Sequence, residues 1–268
     1  DGGTGNKSVT GNTFSNITGS AAVTVLQVAS GTSNTVSGNT ISNINAGATM
    51  QGMYFNSGSG TSNISLNKIS NLYSSSSGSS GYGINITGAG AYNIFNNQII
   101  QVIVLSGQPA GIYTLASGAE NIYQNNISYI STAGSGYSGY GIAVSNSSSA
   151  VNIYQDTVST GSVAAYYYDG IYFLGASGKV NRIYQNVVYG LSNSTGVAGT
   201  SVIGIYLAGG SSTTSDTVYQ NKIYNLSGGL DAVWGIQDAS ASTVYLFNTL
   251  ICGLSSTGTA TAPVDVTY

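Results

Sequence analysis

A short pattern that the chain rewrites many times is the feature that most constrains its fold. The clearest copies read Ile or Val, then Tyr-Gln, then Asn or Asp, and looser copies precede them. The copies begin at Asn34, Asn63, Asn121, Asn152, Arg182 and Thr217. A period that covers a whole chain is typical of repeat architectures, in which each unit buries its apolar side chains only against its neighbours.

An asparagine marks each repeat. The marker recurs every 27 to 35 residues, and among the nine markers only Asp156 is not Asn. The markers are Asn12, Asn39, Asn67, Asn97, Asn125, Asp156, Asn186, Asn221 and Asn248. Asn tolerates tight-turn conformations, and its amide can bond the amide one turn above and below, so we expect these side chains to form a structural ladder.

Apolar residues keep fixed distances from the markers. The row three residues before them is Val9, Val36, Ile64, Ile94, Ile122, Ile153, Ile183, Val218 and Tyr245. The row two residues after them is Phe14, Ile41, Ile69, Ile99, Ile127, Val158, Val188, Ile223 and Leu250. A further row five residues after the marker is interrupted by Gly161 and Gly253. β-Branched residues dominate these rows, which favours strands.

A third strand is predicted in each repeat from a Gly-apolar-x-apolar pattern, as in Gly170-Ile171-Tyr172-Phe173. Three short strands per repeat predict an all-β chain that forms a right-handed parallel β-helix solenoid of about nine turns with an Asn ladder. At about 4.8 Å per strand, such a rod is on the order of 43 Å long.

We expect residues 1–268 to form a single solenoid domain. Because the chain starts at Asp1 without Met or a signal peptide, we expect a mature form, or a segment or protomer of a longer fibre.

The repeats resemble those of the pectate-lyase-like β-helix superfamily. Asn221-Lys222-Ile223-Tyr224-Asn225-Leu226 is still more similar to the "NxIYxL…GI" repeats of large surface proteins secreted by Bacteroidetes-type bacteria. The resemblance covers essentially the whole chain. It implies a β-helix, but not one function, because the superfamily contains enzymes, adhesins and fibres.

The composition argues against several classes of partner. Five basic and eight acidic residues give a net charge of -3, so no electrostatic footprint for nucleic acid or an anionic membrane exists. No apolar run approaches the roughly 20 residues of a membrane span. Cys252 is the only cysteine, and with no His in the chain we interpret it as an inert thiol.

No catalytic constellation is recognisable, so we predict a protein that is not an enzyme and has no cofactor or metal. The pectin-cleaving relatives use His-, Arg- and Asp-containing motifs that this chain lacks. Asp156 is interpreted as a ladder substitution, and Asp169 as exposed on an aromatic strip or bonded to loop amides. Asp216, Asp231 and Asp238 gather late in the chain. Ca²⁺ binding by these three residues remains an alternative, but acids that lie in solvated loops are the simpler interpretation.

Two outward rows of aromatic residues are the candidate interaction surface. The first follows the inward Ile/Val row and consists of Phe95, Tyr123, Tyr154, Tyr184 and Tyr219, each of the tyrosines being followed by Gln124, Gln155, Gln185 or Gln220. The second lies on the third strand and consists of Tyr54, Tyr113, Tyr172 and Tyr206. Stacking within the rod, packing against another rod and binding of a polysaccharide all remain open.

The two ends of the chain motivate the functional hypothesis. The first turn begins within a few residues of Asp1, and the last segment is strand-like, without a helix or a charged cap. We therefore expect head-to-tail homo-oligomers, in which Val264 and Val266 dock against Val9 and Phe14 of another copy. The predicted function is an extracellular or cell-surface structural protein, a fibre subunit or the stalk of an adhesin. The alternative is a carbohydrate-binding or polysaccharide-cleaving β-helix.

Overall fold

The structure, a computed structural model, describes residues 5–56, 58–134, 136–145, 148–163, 166–193, 201–230, 232–257 and the backbone of 261–266. These residues form three parallel sheets of nine strands each and contain no helix. Each repeat contributes one strand to every sheet, and every strand except those of the first and last turns pairs with its equivalents in the preceding and following repeats. The described part of the chain is therefore a parallel β-solenoid, as the sequence predicts.

Each strand is named here by its position in the chain. Sheet one contains β1 (Ser8–Thr10), β4 (Thr35–Ser37), β7 (Thr61–Ser65), β10 (Ala91–Phe95), β13 (Glu120–Tyr123), β16 (Val151–Tyr154), β19 (Val180–Tyr184), β22 (Ser215–Tyr219) and β25 (Thr243–Phe247). Sheet two contains β2 (Thr13–Gly19), β5 (Thr40–Ala46), β8 (Lys68–Ser77), β11 (Gln98–Ser106), β14 (Asn126–Thr132), β17 (Thr157–Val163), β20 (Val187–Asn193), β23 (Lys222–Gly228) and β26 (Leu250–Ser256). Sheet three contains β3 (Val23–Val28), β6 (Met50–Phe55), β9 (Gly81–Ile86), β12 (Pro109–Thr114), β15 (Ser138–Val144), β18 (Tyr167–Leu174), β21 (Ser201–Gly209), β24 (Ala232–Asp238) and β27 (Thr261–Val266).

The core is a continuous column of Ile, Val and Leu side chains between the three sheets. The predicted inward rows of sheets one and two are fully buried from the second turn to the eighth, as Val36, Ile122 and Val218 illustrate. The strand register places identical residues next to each other. Ile94, for example, pairs with Ile64 on one side and with Ile122 on the other. Each turn thus completes the apolar environment of the next.

A left-handed residue makes the corner between sheets one and two. This residue is Gln124, Gln155, Gln185 or Gln220 in four turns, with φ between 55° and 58°. The Asn marker that follows then points into the core. The expectation that the marker itself takes the tight-turn conformation is wrong for the interior of the rod, since its neighbour does so.

Gly161, which interrupts an inward row of sheet two, makes room for a large residue of sheet three. A Cβ at Gly161 would overlap the phenol of Tyr168. Tyr168 is fully buried and occupies the volume that Leu191 fills in the next turn, opposite Gly161 in the register. The gap in the row is therefore compensated within the same turn.

The last turn has a different register from the one that the sequence pattern predicts. Leu246, not Tyr245, pairs with the inward Val218, and Ile251, not Leu250, pairs with the inward Ile223. Leu254 likewise pairs with Leu226. Anchoring the repeat on Asn248 shifted these predictions by one residue, and such a shift exchanges the two faces of a strand.

Candidate functional site

The Asn markers form a hydrogen-bonded row along the inside of the corner. From Asn12 to Asn186, each marker donates its backbone N–H to Oδ1 of the next marker at 2.7–3.1 Å. The Asn side chains also donate Nδ2 to the next Oδ1 at 2.9–3.0 Å. Asn12 is exposed in the first turn, whereas the markers from Asn39 to Asn221 are buried.

Asn248 does not belong to this row. The register places Asn248 opposite Gln220 and Thr249 opposite Asn221, and Asn248 has the left-handed φ of 52° that marks the corner position. It is exposed. The prediction that Asn248 is the ninth ladder residue is therefore wrong.

Asp156 takes the place of one Asn in the row. Its Oδ1 accepts two hydrogen bonds from Asn125, and its backbone N–H donates to Asn186. Its Oδ2 is buried without a hydrogen-bond partner. Burial raises the pKa of Asp156 to about 8, and the bonds from Asn125 oppose this shift only in part.

A second column of buried polar residues, interrupted by Tyr92 and Val151, lies five residues before the markers and was missed by the sequence reasoning. Asn34 donates its Nδ2 to Ser62 at 3.2 Å, and Asn181 donates its Nδ2 to Asp216 at 2.7 Å. Glu120 occupies the same column and accepts a short hydrogen bond from Thr114. Burial raises the pKa of Glu120 to about 8. The fixed offset from the marker is the signal that could have revealed this column.

Two of the three late acidic residues, Asp216 and Asp238, are not the solvated loop acids that the sequence indicated. Asp216 is buried, with Oδ2 unpartnered, and desolvation raises its pKa, with a smaller contribution from Asp238. Asp238 is also buried and accepts hydrogen bonds from the N–H and Oγ of Ser240 at 2.9 and 2.6 Å. Asp231 lies outside the described residues. Among the described residues, no three His, Cys, Asp or Glu side chains are grouped so that they could hold a metal ion.

Asp169 is buried, which contradicts the predicted exposed position. It pairs with Tyr140 and Ile203 in sheet three, and its Oδ1 has no hydrogen-bond partner. Burial raises the pKa of Asp169 well above its usual range. Burial also raises the pKa of the half-buried Tyr172 and Tyr206, and the nearby Asp169 carboxyl adds to both shifts.

The first aromatic row is one continuous stack on the outer face of sheet one. Ring centroids from Phe95 through Tyr123, Tyr154, Tyr184 and Tyr219 are 4.8–4.9 Å apart, with interplanar angles of 2–4°. Phe247 extends the stack at 5.1 Å. Because each inner ring has a neighbour on both faces, the row presents mainly ring edges to the outside.

Two amide ladders flank this stack. On one side, Asn93, Asn121 and Asn152 each donate Nδ2 to the Asn of the preceding turn at 2.9 Å, beginning at Asn63. On the other side, Gln124, Gln155 and Gln185 each donate Nε2 to the Gln of the following turn at 3.1–3.2 Å. The outer face of sheet one therefore carries three parallel ladders with the same period.

The second predicted row is not a continuous stack. Tyr54 bonds Thr87, and Tyr113 stacks on Tyr82 of the neighbouring column. Tyr172 is tilted by 68° from Tyr206. Asn85 and Ala143 occupy the intervening turns of this row, and a stack requires a ring in every turn.

The residues predicted to join one rod to the next lie at opposite ends of the described structure. Val9 and Phe14 are partly buried in the first turn. Val264 pairs with Ile236 and Val266 with Asp238 through β27, the edge strand of sheet three at the far end. The side chains of Val264 and Val266 lie outside the described residues.

Two findings bear on the other predicted classes. Cys252 is exposed as a free thiol. Within the residues that the structure describes, no helix is long and apolar enough to cross a membrane.

Comparison of the chain with family models, with curated proteins and with solved structures finds no significant match.

Proposed function

We propose that this protein is a non-catalytic structural rod, a fibre subunit or the stalk of an adhesin outside the cell, that extends by end-to-end stacking of β-solenoid turns. The proposal is carried by the contrast between the inner and outer turns of the rod. Val218, Ile223 and Leu226 are fully buried in the eighth turn. Their register partners in the ninth turn are Leu246, which is 39% exposed, and the partly buried Ile251 and Leu254.

The first turn shows the same contrast. Phe14 and Ile17 are only partly buried, whereas Ile41 and Ile44, their register partners in the second turn, are buried. A cavity of about 370 Å³ opens beside Val9 and Val28 at this end. One more turn of the same repeat would fill the opening and cover the apolar side chains.

The edge strands supply the second part of the interaction. β1, β2 and β3 are the outermost strands of their sheets at one end, and β25, β26 and β27 at the other. An unpaired parallel edge presents N–H and C=O groups to an incoming strand. Head-to-tail addition would continue the strand pairing of all three sheets and the apolar core. Because the two ends differ, the contact is heterologous and generates an open filament.

Cryo-electron microscopy of the purified 268-residue chain tests the proposal. We expect filaments with an axial repeat of about 4.8 Å that runs unbroken across the joints between protomers. Leu246→Lys, at the exposed end of the core, should prevent filament formation. Leu66→Lys, at a 58% exposed site in the third turn, should not. Circular dichroism of both variants is the control that they fold. Rods that stay monomeric at high concentration would overturn the proposal.

A further inference from the structure

We infer that the outer face of sheet one is a lateral contact surface for a second copy of this chain. The face consists of the Asn ladder Asn63–Asn93–Asn121–Asn152, the aromatic stack Phe95–Phe247 and the Gln ladder Gln124–Gln220. This contact is distinct from end-to-end stacking and does not require it.

The chemistry of the face favours a protein partner over a sugar ring. A sugar that stacks on an aromatic side chain needs an exposed ring face, but the inner rings of the stack are covered on both faces by their neighbours. What remains accessible is a strip of half-buried ring edges beside exposed glutamine amides. Edges of this kind pack well against other apolar edges and amide groups.

The amide ladders leave equal numbers of donors and acceptors unused. Gln155 uses one N–H towards Gln185 and accepts one bond from Gln124. A side-chain amide has two N–H donors and two acceptor lone pairs, so one of each remains. Such a surface is self-complementary, and the three ladders contain no charged residue. Arg182, the register partner of Asn152, lies one turn beyond the end of the Asn ladder.

The period of the ladders selects the occupant. Equivalent rings repeat every 4.8–5.1 Å along the rod. A partner can satisfy every step only if its own groups repeat at the same interval, and a second copy of this chain has that interval by construction. A globular partner without the repeat would match one or two turns and leave the rest unpaired.

The area of the face sets the strength of the contact. Seven turns at about 4.8 Å and a width of about four strand residues give on the order of 400 Å² per rod. Stable interfaces bury about 800 Å² per partner. Single rods should therefore pair weakly, and rods already joined end to end should pair much more tightly, because their contacts act together.

Lysine substitution on the exposed corner residues tests the inference. Gln155→Lys/Gln220→Lys places two positive charges on the face. Gln101→Lys/Asn225→Lys is the matched control, because Gln101 and Asn225 are also exposed left-handed residues, with φ of 67° and 55°, but lie on sheet two. Sedimentation equilibrium measures the pairing of single rods, and electron microscopy measures the width of any filaments.

We expect the wild-type chain and the control to form side-by-side pairs at high concentration, and the Gln155/Gln220 variant to pair at least tenfold more weakly. If filaments form, the same variant should reduce paired filaments to single ones without shortening them. If no filaments form, pairing of single rods still supports the lateral contact, so the two proposals fail separately. The lateral-contact inference would be overturned if wild-type rods never pair, or if the Gln155→Lys/Gln220→Lys variant pairs as tightly as the wild type. Binding of a soluble polysaccharide by monomeric wild-type rods, lost in the face variant, would assign the face to a glycan instead.

Discussion

Asn125 donates both its backbone N–H and its Nδ2 to the same oxygen of Asp156, Oδ1, at 2.7 and 2.9 Å. Two successive Asn markers make the same pair of hydrogen bonds, and here the acceptor is a carboxyl group in place of an amide. The other oxygen of Asp156 takes the position from which an Asn would donate. Asn186, for example, donates Nδ2 both to the Ile153 carbonyl and to Asn221. Only the protonated carboxyl can imitate such a donor.

The stability of the rod should therefore fall between about pH 4 and pH 8. Burial raises the pKa of Asp156 from its ordinary value of 3.8 to about 8 in the folded chain. Between these values the folded state binds a proton that the unfolded state does not, so the free energy of unfolding decreases as the pH rises. The difference between these two pKa values corresponds to a loss of unfolding free energy on the order of 5 kcal/mol. Urea unfolding between pH 4 and pH 9 measures this dependence.

Asp156→Asn separates this residue from the other buried acids. The variant restores the missing amide donor, so it should be markedly more stable than the wild type at pH 9 and similar to it at pH 4. Glu120, whose folded pKa is also about 8, should leave a residual pH dependence in the variant. Equal stabilities of the two chains at pH 9 would contradict the protonated-ladder interpretation.

Tyr168 and Gly161 should behave as a coupled pair. Tyr168→Ala leaves a cavity and should cost about 3–5 kcal/mol. Gly161→Leu should be destabilising because the new side chain overlaps the phenol and its Cβ lies 2.7 Å from the Ile130 carbonyl oxygen; only the first overlap is relieved when Tyr168 is shortened. The double variant places a leucine where Leu191 lies in the next turn, so its cost should be smaller than the sum of the two. Denaturant unfolding of the four chains gives the coupling free energy, and additive costs would show that the two sites are independent.

Gly170, like Gly141 and Gly204 at the same position of the adjacent turns in sheet three, should tolerate no side chain. A Cβ at Gly170 would overlap a methyl group of Val188 and lie 2.6 Å from the carbonyl oxygen of Gly204. Gly170→Ala should therefore destabilise the rod by about 1–3 kcal/mol. Gly5→Ala is the control, because no atom lies within 4 Å of its Cβ position. Thermal unfolding of both variants makes the comparison, and equal midpoints would contradict the packing argument.

Loss of a ring from the aromatic stack should cost more inside the row than at its end. Tyr184→Ala removes two ring contacts and Phe247→Ala removes one. At about 0.5–1.5 kcal/mol per aromatic pair, the expected losses are about 1–3 and 0.5–1.5 kcal/mol. Tyr73→Ala, on sheet two and 36% exposed, is the control outside the row. Similar losses for all three variants would show that stacking contributes little.

The sequence was informative wherever one residue type repeated at one offset. The inward row from Val36 to Val218, the ladder from Asn12 to Asn221 and the first aromatic row could all be predicted, because identical positions in successive turns are neighbours in a parallel solenoid. Periodicity of this kind is a local property of the chain, and it maps directly onto strand register.

The last turn shows where the repeat pattern alone fails. The repeat pattern predicts that Asn248 is a marker because it is an Asn at the expected distance, but the structure places it at the corner and turns Leu246 and Ile251 inward. The packing of three apolar side chains on Val218, Ile223 and Leu226 outweighs the identity of one polar residue. A register decision depends on the whole face of a strand.

The repeat pattern is sufficient to predict the architecture: three strands per repeat, the inward rows and the outward aromatic row. The folded structure is needed to show which acids are buried, that Tyr168 fills the space over Gly161, and that the rings stack face to face. Those properties depend on contacts between different sheets and on side-chain conformations, and the repeat pattern specifies neither. Burial, which the structure sets, is also what raises the pKa values of Asp156 and Glu120 and so makes their protonation part of the fold.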